Sequence, residues 1–558
     1  MKKIFWFFII VSILLHLYAM TFPLATLEDE SAQVARGMII TEVLGIVPLG
    51  VIFILAIATI GSFFLLYKLY KKNDNLFLIV IASFSIVYYF LLCRFASQFL
   101  LNKFNSLDPS NLLWLVRYGS LGAVTYTLQL MTFGYREWGM RFFPLFFSIL
   151  SAIGLYKLIC LYKNENWALF SSVSLLFMPG IFYYINISQL TTGIIFFIIT
   201  SIYFLMGYIL KDEKKYLIYM CLSLILGFQY KEVFLLIYGT IFGYLLYLYF
   251  FIKKKIDYKP IIKYLALSLI PTLIWLITQV FFNNNTNLLR DRFLPSEQNI
   301  VYIISRYFIN IPSEATWPFA ILFVLSLPFA LYSIFKKKDE LTFVFLINFL
   351  IMYSMITFDS LNNYMIIYRY GADLLLPLSF LAFIPLDLIR KKRWIKRITY
   401  CLIIFLMVTS TYLTYHNWEN RFVPMDGTFS YIQENIPESD KILRTMAPNP
   451  YKFYIAKYDI KNEMDHVVWT NVSDQNITNL YEFMEKKNYT YFIFPKPTLS
   501  YHSYWPNDYS WVYTMRITKI PVLNETLLHE LIENNDYFKV VYQDNLGPNS
   551  LFIVKKID

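Results

Sequence analysis

Leu27-Glu28-Asp29-Glu30-Ser31-Ala32-Gln33-Val34-Ala35-Arg36-Gly37 follows an apolar run, Ile4 to Phe22, that is itself preceded by Lys2 and Lys3. Such a run crosses a bilayer, because about 20 apolar residues of helix span roughly 30 Å of hydrocarbon. The leading basic pair marks the cytoplasmic end, so the acidic stretch is expected to emerge on the far face. Consecutive carboxylates are costly against an apolar interface, and their placement makes sense if this loop works on a polar substrate. A cleaved leader is the competing reading. The run is long for a signal core and lacks a clear small-residue cleavage site, so a retained helix is expected.

The rest of the chain repeats the membrane signal. Its 558 residues are 57% hydrophobic, 20% aromatic and only 16% charged, whereas a soluble domain carries about 25% charged residues. Apolar runs of spanning length recur through the first three quarters. The net charge of +11 is split among short runs between them: Lys71-Lys72, Lys214-Lys215, Lys253 to Lys255, Lys336 to Lys338 and Arg390 to Arg393. That distribution follows the positive-inside rule and excludes a nucleic-acid stripe, which needs its cations contiguous. Cys93, Cys160, Cys221 and Cys401 fall within or at the ends of apolar runs, reading as packing residues rather than a disulfide set. No His-Glu-x-x-His pattern is present.

With the basic runs inside, the path alternates across about thirteen helices, beginning with Ile4 to Phe22, then Ile46 to Tyr67 and Leu76 to Phe95. A polar and aromatic stretch, Gln98 to Arg141, follows outside, and a helix from Phe142 returns toward Lys163. One helix then ends near Tyr184, and another runs from Gly193 to Lys211. A hairpin has its outer tip at Gln229 to Glu232, and Ile261 to Phe282 leads to a loop reaching Thr316. Further helices descend to Lys336, rise to a tip at Tyr368-Arg369-Tyr370, descend to Arg390 and leave as Ile398 to Tyr415. The fold class is therefore mostly α, a polytopic transmembrane domain over 1–415 with a C-terminal domain over 416–558. In that second part, helical patterns at Phe429 to Asn435, Thr478 to Lys487 and Thr526 to Asn534 alternate with short β-rich runs. Those are Lys441 to Leu443, Tyr489 to Phe494, Phe538 to Tyr542 and Leu551 to Lys555, which reads as a small α/β domain. The odd helix count puts it outside the cell, with the N-terminus cytoplasmic. Asn-x-Ser/Thr triplets at Asn186, Asn284, Asn471, Asn476, Asn488 and Asn524 all fall on that outer side.

Polar groups at the outer faces are few. The acids are Glu28, Asp29, Glu30, Asp108, Glu137 and Glu232; the cations are Arg36, Arg117, Arg136, Arg141, Lys231, Arg290, Arg292, Arg306 and Arg369. Cations there run against the positive-inside bias. A single one is explained by snorkelling or local pairing, but a set suits a phosphate-bearing ligand.

The opening acidic loop with Ala35-Arg36-Gly37 resembles the GT-C glycosyltransferases, and within them the protein O-mannosyltransferase and aminoarabinose-transferase branch. Gly134-Tyr135-Arg136-Glu137-Trp138-Gly139-Met140-Arg141-Phe142-Phe143-Pro144 resembles that family's Phe-Gly-x-x-Glu-x-x-x-Arg-x-Pro stretch. Pro179 with Phe182-Tyr183-Tyr184, the tip Tyr230-Lys231-Glu232, Tyr368-Arg369-Tyr370 before Pro377, and the outer α/β domain follow in the family's order. The chain departs from the pattern at Tyr118-Gly119-Ser120-Leu121, where many members have His-x-Pro-Leu, and at Gln189-Leu190-Thr191-Thr192, where the family often has an aspartate. It lacks the Trp-Trp-Asp-Tyr-Gly of oligosaccharyltransferases.

The resemblance implies an inverting transfer of a hexosyl or pentosyl group from a polyprenyl (dolichyl) phosphate donor to an acceptor hydroxyl outside the membrane. It implies Asp29, with Glu30 second, as the base, and Lys231, Arg369, Arg36 and Arg141 as phosphate ligands. Glu137, Tyr118 and Tyr368 are weaker candidates for acceptor or sugar contacts. The partners would be the lipid-linked donor, a lipid, glycan or protein acceptor, and membrane lipids. No cofactor is defined; a divalent metal stays open, since related branches differ and these acids form no clear ligand set. Each residue has a plainer use. Asp29 caps a helix from Ser31, Glu137 and Arg141 make a solvated i, i+4 pair, and Arg369 stacks on its flanking tyrosines. A flippase of lipid-linked sugars would show internal repeats and mid-helix charges. An O-antigen-type polymerase or ligase would use a large late outer loop, for which Asn283 to Thr316 is long enough.

Overall fold

A computed structural model describes residues 2–19, 38, 120–186, 190–283, 311, 315–363, 374–388, 393–419, 425–445, 448–466, 476–496, 523, 525–533, 536–546 and 549–557. The expected spans Ile46 to Tyr67 and Leu76 to Phe95 lie outside these residues. The N-terminal run forms α1 (Lys2–Ala19). After it come α2 (Ser120–Phe133), α3 (Glu137–Met140), α4 (Phe142–Cys160), α5 (Glu165–Phe177), α6 (Pro179–Asn186), α7 (Thr191–Lys211) and α8 (Lys214–Tyr230). A 3-10 turn, Glu232–Leu235, leads to α9 (Leu236–Tyr247), then α10 (Tyr258–Asn283), α11 (Trp317–Lys337) and α12 (Glu340–Asn363). The bundle closes with α13 (Leu375–Leu381), α14 (Ile384–Leu388) and α15 (Arg393–Glu419). By length and composition, three described helices suffice to cross a membrane: Glu137–Cys160, Thr191–Lys211 and Trp317–Lys337.

Local chemistry explains where the expected helices differ. The single helix expected to end near Tyr184 is broken at Met178, whose backbone is extended. Pro179 follows it, and a residue before proline is pushed out of the α region. Asn164 starts α5 by accepting the Trp167 N–H at 3.0 Å. The helix expected to descend to Arg390 is also split, into α13 and α14. Pro385 has no N–H to offer the Leu381 carbonyl, which is where α13 stops. The stretch Gln98 to Arg141, read as polar and aromatic with no helix assigned, contains α2 and α3.

Between α7 and α8, Ser223 Oγ lies 2.6 Å from Thr200 Oγ1 and 3.1 Å from Ser201 Oγ, and donates to the Phe197 carbonyl at 3.2 Å. Small hydroxyl residues let the two backbones approach and satisfy one another inside the apolar bundle. At Gly193 the approach is tighter: an added Cβ would stand 2.5 Å from Cζ of the fully buried Tyr230.

Three basic loops gather at one end of the bundle. Lys163, after α4, pairs with Asp339; Lys254, after α9, pairs with Glu340 at 2.8 Å. Glu340 also accepts from Tyr244 at 2.6 Å and Tyr162 at 3.2 Å. The runs Lys253 to Lys255 and Lys336 to Lys338 thus share a face with Lys163, as positive-inside reasoning expects.

The C-terminal part comprises α16 (Asp426–Asn435), β1 (Lys441–Arg444), α17 (Pro448–Lys457), β2 (Met464–His466), α18 (Ile477–Lys487), β3 (Tyr489–Lys496), α19 (Glu525–Ile532), β4 (Phe538–Leu546) and β5 (Asn549–Lys556). β2 and α17 are additions to the expected elements. The sheet order is β2-β1-β3-β5-β4, with β1 parallel to β2 and β3, and β5 antiparallel to β3 and β4. Alternation along the strands feeds two cores. Leu443, Phe492, Phe494, Phe552 and Val554 pack with Leu480 and Leu527 of α18 and α19. Ile442, Ile493, Leu551 and Ile553 face the other way and join the cluster containing Phe429 and Tyr454 of α16 and α17. Strands buried on both faces read as nearly continuous apolar runs, which is how they stand in this sequence.

Replacing Gly193 by valine should force α7 and α8 apart, at a cost of about 1–3 kcal/mol. Thermal melts of the detergent-purified variant should show a clear drop, and an unchanged melting temperature would mean that the Tyr230 contact is not tight.

Candidate active site

The end opposite the Lys163–Asp339 pair is built around α2. Its Gly122 sits so close to the end of α8 that a Cβ there would lie 3.0 Å from the Tyr230 carbonyl. Seven residues on, Gln129 Oε1 accepts the Phe143 N–H at 3.0 Å, satisfying an otherwise orphaned donor at the start of α4. Helix α2 therefore lies across the bundle end, bridging the beginning of α4 and the end of α8, points separated by about 10 Å of helix.

Those two points carry cations. Arg141 is the residue between α3 and α4 and is 0% exposed. Lys231, half-buried, is the C-terminal cap of α8 in extended conformation, its N–H donating to the Gly227 carbonyl at 3.1 Å. The extended residue at the helix end and the 3-10 turn after it reverse the chain, and place Lys231 at the rim rather than inside a helix.

Helix α1 leads to the same end. Phe5 stacks on Tyr156 at 4.8 Å, near the basic end of α4, while further along α1 His16 packs on Phe182 of α6 at 4.0 Å. The chain thus leaves Ala19 toward the end of the bundle away from the basic loops. Helix α15 runs the same way: Tyr400 touches Phe170 of α5, and Ser410 donates to the Phe177 carbonyl.

The α/β part also meets the bundle here. Lys457, at the end of α17, pairs with Glu137 Oε1 at 2.7 Å and with Asp426 Oδ1 at 2.6 Å. Tyr458 donates to the same Asp426 oxygen at 2.8 Å, and Phe453 meets Tyr135 edge-on at 5.7 Å. Glu137 is 13% exposed, which corrects the reading of a solvated Glu137–Arg141 pair. Neither group is solvated, and the carboxylate is held by Lys457 because α17 docks beside α3. Desolvation lowers the Lys457 pKa, but its hydrogen bonds to Asp426 and Glu137 outweigh that and raise it above 10.5. Burial, then the bond to Asp426, pushes the Tyr458 phenol up.

Of the residues proposed from sequence, the structure brings Arg141, Lys231 and Glu137 to one end. Asp29, Glu30, Arg36, Tyr118, Tyr368 and Arg369 lie outside the described residues. Lys457 and Asp426 escaped sequence reasoning, since nothing in a soluble-looking segment announces a partner some 320 residues earlier. Among the described residues, no group of three or more His, Cys, Asp or Glu could hold a metal ion, and Cys160, Cys221 and Cys401 form no disulfide.

Residues 121–275, which include both described cations, match the family model for dolichyl-phosphate-mannose-protein mannosyltransferase. Among solved structures, the chain resembles ArnT from Cupriavidus metallidurans bound to undecaprenyl phosphate. Identity there is 12% over 78% of this chain and 88% of the other, with a TM-score of 0.50. For the apo state of the same protein the values are 10%, 78%, 87% and 0.51. The oligosaccharyltransferase of Archaeoglobus fulgidus also matches, at 11% identity over 67% of this chain and 61% of that one, with a TM-score of 0.43. No curated protein matches the sequence. The chain shares the fold of ArnT over 78% of its length.

Because the folded pKa of Lys457 lies above its unfolded value, its stabilising contribution is complete below about pH 10.5 and is lost as pH rises through the higher folded value. Lys457→Met should therefore destabilise the protein near neutral pH by about 1–3 kcal/mol. Melts across an alkaline series should show the gap from wild type closing above that pH. A gap that is constant with pH would show that the ammonium charge contributes nothing.

Proposed function

We propose that the chain is an integral-membrane glycosyltransferase that moves a sugar from a polyprenyl (dolichyl) phosphate donor to an acceptor hydroxyl on the outer face of the membrane. The observation that carries this reading is convergence. Arg141, Lys231 and the exit of α1, which leads into the acidic stretch, all lie toward the end away from the basic loops. The match to a dolichyl-phosphate-mannose family model over this region supports it, as does the likeness to a protein crystallised with undecaprenyl phosphate.

In this reading 1–415 is the catalytic membrane domain and 416–558 an extracytoplasmic domain, with the N-terminus in the cytoplasm. The lipid tail lies among the helices and the phosphate faces Lys231 and Arg141, joined by Arg36 and Arg369. Asp29, or Glu30 in second place, takes the acceptor proton as its oxygen attacks the anomeric carbon. The new C–O bond forms with inversion as the bond from that carbon to the phosphate oxygen breaks, and the electron pair leaves on polyprenyl phosphate. Fixed cations stabilise that developing charge. Glu137, Tyr118 and Tyr368 border the acceptor side. The acceptor is a hydroxyl-bearing lipid, glycan or protein.

Purified protein given a labelled polyprenyl-phosphate sugar and an acceptor extract should release polyprenyl phosphate. Asp29→Asn should slow release by about 10²–10⁴-fold, and Lys231→Met by about 10²–10³-fold, with unchanged melting behaviour. Full turnover in Asp29→Asn would remove that residue as the base.

A further inference from the structure

Helix α9 continues into a π-helical turn, Leu248–Ile252, in which Tyr249, Phe250 and Phe251 are 60%, 62% and 59% exposed. Bonds from i to i+5 put more residues into each turn, so successive side chains diverge less, and such turns recur at functional sites. The start of this turn is fixed by Tyr247, which donates to the Ile334 carbonyl of α11 at 2.9 Å. Phe251 meets Phe335 of α11 edge-on at 6.3 Å, and Phe335 is itself 61% exposed. The ends of α9 and α11 therefore present one ledge of outward aromatic rings, and the basic runs Lys253 to Lys255 and Lys336 to Lys338 follow directly from it.

The lysines of these two runs divide by their partners. Lys254 turns inward to Glu340, which also accepts from Tyr244 and Tyr162, while Asp339 is held by Lys163 and Thr342. Asp257, the next acid along the chain, accepts the Lys259 backbone N–H at 3.1 Å. Lys253, Lys255, Lys336, Lys337 and Lys338 stay exposed, and none of them forms an ion pair with a described residue. Lys253 and Lys338 each close a helix at φ 56° and 53°, the left-handed region in which glycine is the default. The turn between α7 and α8 is different: Lys215 pairs with Glu213, and Lys211 donates to the Tyr216 hydroxyl at 2.9 Å. Unbalanced positive charge thus collects beside the aromatic ledge.

Exposed rings at headgroup depth, with lysine stems snorkelling past them, suit a charged lipid surface. We propose that the ledge formed by the π-helical turn and the end of α11 binds the headgroup of an anionic phospholipid in the leaflet at the basic end of the bundle. The exposed lysines complement the phosphate charge, with Lys337 held over the Tyr332 ring at 5.9 Å. The rings of Tyr249, Phe250 and Phe335 lie along the acyl chains, a role that a soluble phosphate would leave empty. This site is remote from Arg141 and Lys231. It rests on the bundle being a membrane domain and needs nothing of the sugar-transfer reading.

Native mass spectrometry of the full-length protein, released from nanodiscs of equal parts phosphatidylglycerol and phosphatidylcholine, tests this directly. Wild type should retain phosphatidylglycerol over phosphatidylcholine by about tenfold. Combining Lys253→Gln, Lys336→Gln and Lys337→Gln should lower that preference by about fivefold or more, with melting temperature unchanged. Lys214→Gln with Lys215→Gln, a basic pair elsewhere at the same end, should leave it within about twofold. Equal retention of the two lipids by wild type, or a preference that survives the triple variant, would overturn the proposal. An equal loss from the Lys214 and Lys215 pair would show that overall charge is sensed rather than this ledge, and would overturn it too.

Discussion

An ion pair held largely out of water, Lys457 to Glu137, ties the two parts of this protein together at the place where its polar chemistry is concentrated. Removing two charges from water costs several kcal/mol, repaid only when geometry is good and remaining lone pairs are satisfied. Here the second carboxylate of Asp426 and the phenol of Tyr458 complete the set. Fixing Glu137 fixes the short turn that follows α2. That turn sets the start of the long apolar helix α4, with Arg141 buried at its threshold. The backbone bond of Phe143 to Gln129 secures the same point from the α2 side.

The opposite end of the bundle is held by the same kind of interaction with a different purpose. Asp339 and Glu340 collect cations and phenols from two loops and from α9, which ties these elements into one network. The two ends are thus chemically distinct. One pairs Lys163 and Lys254 with Asp339 and Glu340, and the other holds a buried Arg141 and a half-buried Lys231. Such asymmetry suits a protein that works on a charged substrate on one side of a membrane only.

Much of this was legible in the sequence, because bilayer thickness and the positive-inside rule are strong constraints. The helices at Phe142–Cys160, Thr191–Lys211 and Trp317–Lys337 match the apolar runs closely. The short β-rich runs in Tyr489–Lys496 and Asn549–Lys556 announced strands. Helix breaks were missed where proline acts through a neighbour, as at Met178 and Leu381. Helix α2 was missed because a helix lying across a bundle end carries no spanning-length signal. Arg141 and Lys231 were picked from a motif resemblance, and the fold brings them to one end. The partner of Glu137 was misread because local spacing favoured Arg141, whereas tertiary docking of α17 supplied a closer cation.

In the proposed function, the end bearing Arg141 and Lys231 binds the phosphate of a polyprenyl-phosphate lipid. The most direct measurement is an experimental structure of the full-length protein with undecaprenyl phosphate. The phosphate should lie within hydrogen-bonding distance of Arg141 and Lys231, bordered by the segment that carries Asp29. A phosphate seated instead among Lys163, Lys254 and their carboxylates, or touching neither Arg141 nor Lys231, would contradict it.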